Sequence, residues 1–162
     1  MTAAAVREVA PGVFRIEAPL PIRSPARINC YLLRSEEGDV LVDTGMRGSE
    51  QALEEALGSI GARVRRVLIT HGHVDHWGLA SRFADSVLAH RGTRSQLEFT
   101  QNGDQGISDA VAGMPVDGEF VRVFSRYRTL IEGVPAIEEI DDGDRVDGWR
   151  VLWTPGHAPG HI

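Results

Sequence analysis

Three short runs near the N-terminus, residues 13–17, 29–33 and 39–42, are rich in β-branched, aromatic or aliphatic side chains. Glu37-Gly38, between the last two, reads as a hairpin turn, so the chain opens on an antiparallel sheet. After Gly45 the period changes: Ala52, Leu53, Ala56, Leu57 and Ile60 recur at helical spacing, with Ser49 placed to cap the start and Gly61 to stop the end. Residues 66–70 form an apolar run of buried-strand type that leads directly into a polar cluster at His71. A short helical stretch around residues 79–83 precedes another such strand, 86–89.

From Gly92 to Gly133 the pattern predicts two helices separated by Gly113 and Pro115. The second carries Phe120, Phe124, Tyr127 and Ile131 on one face, with Asp117 as its cap and Gly133 and Pro135 at its end. Its opposite face, with Glu119, Arg122 and Arg126, reads as solvated. Two further strands, 136–140 and 149–154, flank the turn Asp141-Asp142-Gly143-Asp144. No repeat, linker or second boundary interrupts residues 1–162, which therefore read as a single domain.

Composition narrows the class. A mass of 17.7 kDa buries about two-thirds of its unfolded surface, enough for one core and not two. Hydrophobic residues make up 42% and charged residues 25%, which excludes disordered and collagen-like chains. All 17 cations are arginine, against 23 carboxylates, and a net charge of −6 argues against a nucleic-acid phosphate footprint. No apolar run is long enough to span a bilayer, and Arg7 and Glu8 fall where a leader's apolar stretch would lie, so the expected location is cytoplasmic. The single cysteine, Cys30, fits a reducing compartment and reads as a packed strand residue.

The chemistry lies in Thr70-His71-Gly72-His73-Val74-Asp75-His76. With 6 histidines and 11 aspartates in 162 residues, this spacing of His, His, Asp and His arises by chance in roughly 1 in 2,000 chains, so it merits a functional reading. His71 and His73, two apart on an extended segment, can point to one side, and Asp75 and His76 follow on the loop. Three imidazoles with one carboxylate suit zinc or another borderline metal better than calcium or magnesium. A second cluster, Thr154-Pro155-Gly156-His157-Ala158-Pro159-Gly160-His161, projects an imidazole from a Pro/Gly-fixed loop after a predicted strand.

Together with Leu41-Val42-Asp43-Thr44-Gly45 upstream, these motifs resemble, in order and context, those of the metallo-β-lactamase fold superfamily. The Thr-Pro-Gly-His form is most similar to its hydroxyacylglutathione-hydrolase (glyoxalase II) branch. The resemblance spans nearly the whole chain and implies an α/β αββα sandwich of two mixed sheets flanked by helices. By the same resemblance, His71, His73 and His157 are ligands of a first metal position with a fourth place for water. Asp75 and His76 belong to a second metal position, with Asp75 also orienting the attacking water as the catalytic carboxylate. Asp43 steadies the ligand loops, and His161 supports the site without binding metal. His90 matches no motif and reads as a structural or surface histidine.

The implied reaction is hydrolysis of a small ester, thioester, lactone or related acyl substrate, since zinc held by three imidazoles lowers the pKa of its water to about 7. One or two zinc ions are expected, with iron or manganese as alternatives. The bridging aspartate and final histidine of the family pattern lie downstream of the third motif and have no counterpart in 162 residues. The fold is therefore expected to lack its C-terminal part, to leave apolar sheet surface uncovered, and to find completion in a homo-oligomer or a complementing C-terminal segment. Two other functions follow from the same motifs: a mononuclear-iron sulfur dioxygenase and an inactive metal-binding fragment. No nucleic-acid or membrane partner is expected. The Asp141 turn reads as turn chemistry and Arg63, Arg65 and Arg66 as the wet end of a strand. Trp77 suits a pocket mouth or a helix-start contact equally.

Overall fold

Alternate residues along the central strands face opposite sides, and in the computed structural model that alternation sorts the apolar residues into two layers. The structure describes residues 3–23, 25–98, 100, 128–133 and 135–162; the helices expected between Gly92 and Tyr127, with Asp117 and the Glu119, Arg122 and Arg126 face, lie largely outside them. Val67, Ile69, Val87, Ala89 and Leu41 join one core cluster, whereas Val40, Leu88 and Leu68 join the other.

The order along the chain is β1 (Ala5–Ala10), β2 (Val13–Pro19), β3 (Arg27–Leu33), β4 (Asp39–Val42), α1 (Glu50–Ser59), β5 (Val64–Ile69), α2 (Val74–Trp77), α3 (Ala80–Phe83), β6 (Ser86–His90), a 3₁₀ turn (Arg91–Thr93), β7 (Ile137–Ile140), β8 (Arg145–Val146) and β9 (Trp149–Arg150). Strands β1 to β7 form one sheet in sequence order. Pairing is antiparallel from β1 to β4 and parallel from β4 to β7. Each parallel step needs a crossover, and α1 supplies the first, burying Ala52, Leu53, Ala56 and Leu57. Trp77, Met46 and Ala80 fill the same layer. The opposite face is covered by Val146, Val151 and Ile162 from the C-terminal segment.

The mixed sheet with flanking helices agrees with the expected fold class. The second sheet consists, among the described residues, of the antiparallel pair β8–β9, joined by Asp147 (φ 45°) and Gly148 (φ 88°), the two left-handed residues of a tight hairpin turn. Several local readings are corrected. Strand β1 was not predicted. The expected strand at 149–154 narrows to Trp149–Arg150, because Val151 bonds back to the turn, donating to Asp144 O at 2.8 Å. Ser49 sits at the N-cap of α1, but its hydroxyl donates to Pro19 O at 2.7 Å and ties the helix to β2 instead. Asp75 and His76 lie on the one-turn helix α2 and not on a loop.

Cys30 is fully buried, and burial, with the nearby Asp43 charge, pushes its thiol pKa up, so it is a core residue. Trp77 is also fully buried and does not line a pocket mouth; its indole N–H donates to Gly72 O at 3.0 Å. Trp149, Leu152 and Trp153 remain 44–53% exposed. No helix among the described residues is long and apolar enough to cross a membrane.

Candidate metal centre

The site forms at the C-terminal ends of parallel strands, where β4 and β5 release the chain. Asp43, directly after β4, has φ 59°, a left-handed conformation that aspartate tolerates better than most residues. Its amide donates the last ladder bond to Leu68 O at 2.9 Å. The turn buries the carboxylate, where Oδ1 accepts from the Thr70 amide at 2.9 Å and Oδ2 accepts from Thr70 Oγ1 at 2.8 Å. The same Oδ2 accepts from His76 Nδ1 at 2.7 Å. One carboxylate thus ends β5 and fixes the start of the histidine segment.

These bonds set the tautomers. The Thr70 hydroxyl hydrogen is committed to Asp43, so its oxygen accepts from His71 Nδ1–H at 3.0 Å. The lone pair of His71 Nε2 then faces His73 Nδ1, 3.0 Å away. Likewise His76, donating from Nδ1 to Asp43, keeps Nε2 free, 3.7 Å from Asp75 Oδ2. Outer partners of this kind orient metal-binding imidazoles.

Close contact holds the segment in shape. A Cβ on Gly72 would stand 2.5 Å from Gln96 Cβ and Oε1, so only glycine fits between the two histidines. His73 begins α2 in extended conformation without capping it, leaving its ring toward His71. The His76 carbonyl accepts from the Thr44 amide at 2.8 Å, tying α2 to the turn after β4.

The C-terminal loop brings the third imidazole. Ile162 N donates to Thr70 O at 3.0 Å, and Thr154 N donates to His161 O at 2.8 Å, closing residues 154–161 into a loop beside β5. The His157 ring lies 4.8 Å from that of His71 and 4.7 Å from that of His73. One ring nitrogen each from His71, His73 and His157 falls within a span of 4.8 Å. A tetrahedron with nitrogen at ~2.05 Å from its centre has edges of ~3.3 Å, so the 3.0 Å pair already stands near ligand spacing. The donor set therefore fits a four-coordinate divalent metal with one place open.

Protonation favours that use. Burial, helped by the neighbouring imidazoles, pushes the His71 pKa down to about 3. Burial and the charge of His157 also lower His73, against an opposing pull from Asp75. Both rings are neutral at pH 7, the form that binds metal. For His76 burial disfavours the charge, but the bond to Asp43 and the charges of Asp43 and Asp75 outweigh it and raise the pKa.

The residues singled out in the sequence thus gather here. Asp43, His71, His73, His76 and His157 converge; Asp75 sits beside His76; and the His161 ring lies 5.2 Å from His71, with Nδ1 2.8 Å from Thr154 Oγ1. Thr70 has no role that the sequence assigns, since a hydroxyl's partners carry no sequence signal, yet it links Asp43 to His71. The Asp141 turn is not part of the histidine cluster: Asp141 Oδ1 accepts from His90 Nε2 at 3.3 Å and its carboxylate pairs with Arg91 at 2.8 Å.

A mixed sheet with helices on one face and a trio of metal-competent imidazoles at its parallel-strand ends defines a class of metal-binding domain. Residues 23–162 match the family model described as the metallo-beta-lactamase superfamily, and the chain belongs to that superfamily, whose members bind divalent metals. Among solved structures, a metallo-beta-lactamase family protein from Thermus thermophilus aligns with TM-score 0.76 and 28% identity, covering 95% of this chain and 55% of that one. A beta-lactamase domain protein from Burkholderia ambifaria aligns with TM-score 0.74 and 30% identity, covering 99% and 54%. Among curated proteins, an N-acyl homoserine lactonase of Bacillus cereus is 27% identical over 158 residues, covering 82% of this chain and 55% of that protein. The Bacillus subtilis protein named "Probable metallo-hydrolase YqjP" is 29% identical over 172 residues, covering 93% and 52%. The chain spans about half the length of the curated relatives it matches.

Proposed function

We propose that this chain carries the first metal position of a zinc-dependent hydrolase acting on a small ester, thioester or lactone. The observation that carries the reading is the convergence of His71, His73 and His157, drawn from two distant segments, with nitrogens within 4.8 Å of one another. When bound there, zinc supplies a Lewis acid that polarises a carbonyl and acidifies a coordinated water. The chain's own residues do the rest: Asp43 and Thr70 hold His71 in the tautomer that leaves Nε2 free, and Asp75, beside the trio, orients the attacking water and takes its proton. Asp75 and His76 are the chain's contribution to a second metal position. The Thr154-Pro155-Gly156-His157 form supports a glyoxalase II-like thioester specificity, and the lactonase among the relatives supports a lactone. The coverage of these relatives supports reading residues 1–162 as one domain completed by a further segment or a second copy.

The test is elemental analysis of protein purified without added metal, with intact mass, followed by assay on thioester, lactone and aryl ester panels. At least one zinc per chain, lost in His71→Ala and in His157→Ala, is expected. Unchanged metal content in both variants overturns the assignment. About one iron per chain redirects the reading to sulfur oxidation, and zinc without turnover of any panel member redirects it to a metal-binding module.

A further inference from the structure

His90 ends β6, and it is 5% exposed without belonging to the histidine trio. Its Nδ1 accepts from the Gly92 amide at 3.0 Å, so the ring proton is on Nε2, which faces Asp141 Oδ1 at 3.3 Å. The ring is therefore locked by one bond to its own turn and another to the end of β7. On its face lies Trp153, nearly parallel at 10°, with ring centroids 5.5 Å apart, within the range of offset stacking. Trp153 is the residue before the Thr154 loop, and its own bonds run to both sides: its amide donates to Asp142 Oδ1 at 3.0 Å, and its indole N–H donates to Pro159 O at 2.8 Å.

The turn that His90 caps touches the same loop a second time. Thr93 Oγ1 donates to Gly160 O at 3.3 Å in a buried contact. A Cβ on Gly160 would lie 2.4 Å from both Thr93 N and Thr93 Oγ1, and a Cβ on Gly92 would lie 3.1 Å from Gly160 Cα. The loop is thus gripped at Trp153 before His157 and at Gly160 after it, and His90 is the side chain common to both grips. His157 itself is exposed, so its position depends on this frame and not on burial.

We infer that His90 is a positioning residue for the loop that carries His157, acting through the Trp153 stack and the Gly92–Thr93 turn; the inference rests on the metal role proposed for His157. The role differs from ligation, because His90 lies outside the imidazole trio, and from simple core filling, because its ring face is given to a half-exposed indole.

The experiment measures zinc affinity by chelator competition, and the visible spectrum of the Co(II)-loaded full chain, for the unmodified protein, His90→Asn, His90→Phe, Trp153→Ala and the His90→Asn/Trp153→Ala double variant. The asparagine oxygen can still accept from Gly92 and preserve the turn, but it has no ring to stack. Zinc affinity falls about tenfold in His90→Asn, the usual scale for a partner that orients a metal-binding histidine, and the Co(II) spectrum shifts. His90→Phe, which keeps the ring, recovers most of the loss. Trp153→Ala matches His90→Asn, and the double variant loses no more than either single one, because the two act as a unit. Trp153 is half-exposed, so that variant carries the test even if His90→Asn folds poorly. Unchanged affinity and spectrum in both single variants, or additive losses in the double, overturn the inference while leaving the metal site intact. Failure of the underlying reading is distinct: the unmodified chain binds no metal, or His157→Ala binds it equally well.

Discussion

Asp43→Asn separates charge from backbone at the centre of the site. Asparagine accepts the left-handed conformation, φ 59°, as readily as aspartate, so the turn after β4 is not strained. Oδ1 can still accept from the Thr70 amide, but Oδ2 becomes an NH₂ that points at two donors, the Thr70 hydroxyl and His76 Nδ1–H. A hydrogen bond to a charged group contributes about 1.5–3 kcal/mol, and an orphaned buried donor costs about 1–3 kcal/mol. With the hydroxyl free to rotate and the imidazole not, the expected loss is about 3 kcal/mol in the metal-free protein. The loss also depends on pH. Because the His76 pKa is raised in the native state, its contribution is fully present below the unfolded value of 6.5 and is lost as pH rises through the raised value. Without Asp43 the burial of His76 is opposed by the Asp75 charge alone, so its pKa falls below that of the unmodified protein and the variant is penalised most in acid. Urea denaturation with a chelator present, at pH 5.5 and pH 8.5, should give a larger difference at the lower pH. A difference under about 1 kcal/mol, or one equal at both pH values, would refute the assigned role of the carboxylate.

Metal-free stability should fall on acidification, because His71, with its pKa pushed down to about 3, and His73, also lowered, take no proton in the fold between their native pKa values and 6.5, while the unfolded chain does. At about 1.4 kcal/mol per unit, His71 alone removes on the order of 2–3 kcal/mol between pH 7.5 and 4.5, trimmed by the opposite trend of His76; denaturant midpoints that stay flat over this range would contradict it. Gly160→Ala forces a Cβ to 2.4 Å from Thr93 N and should displace the His157 loop, lowering zinc affinity about tenfold in chelator competition. Gly58→Ala, in α1 with no atom within 4 Å of the new methyl, should raise stability by about 0.5–1 kcal/mol without changing metal affinity.

The histidine segment was legible because three imidazoles and a carboxylate at such spacing have few other uses, and because an apolar strand delivers them. Legible for the same reason were β2 to β6 and α1, whose apolar residues follow periods of 2 or 3.6 and bury one face. Strand β1 had no such signal: nearly all of it is exposed, and it is held by backbone pairing to β2, which leaves no pattern in side chains. The run at 149–154 gave a false signal, since Trp149, Leu152 and Trp153 are apolar yet exposed. Ser49 shows how tertiary contact overrides local propensity, giving its hydroxyl to β2 rather than to its own helix. The Asp43–Thr70–His71 chain and the His90–Trp153 stack join residues 27 to 63 positions apart, and no spacing rule encodes which polar group a folded chain will bring to another.

The two halves of the candidate site are built to different standards of rigidity. His71 and His73 follow β5, the middle of the parallel half of the sheet, where a buried carboxylate, a glycine contact and a buried indole fix the segment from three sides. His157 sits on an eight-residue loop that ends in one bond to Thr70 O and is otherwise held by Trp153 and Gly160. Two preset imidazoles bind a divalent ion weakly, so the gain on adding the third depends on how little order the loop must acquire when the metal arrives. Changes around His71 should therefore alter the stability of the metal-free fold, as Asp43→Asn tests. Changes at the exposed His157 and the half-exposed Trp153 should leave that stability nearly intact and act on metal affinity. Such a separation would not be seen if all three histidines stood on one rigid element, and it makes the loop's anchors, Trp153 and Gly160, the contacts on which metal affinity should depend.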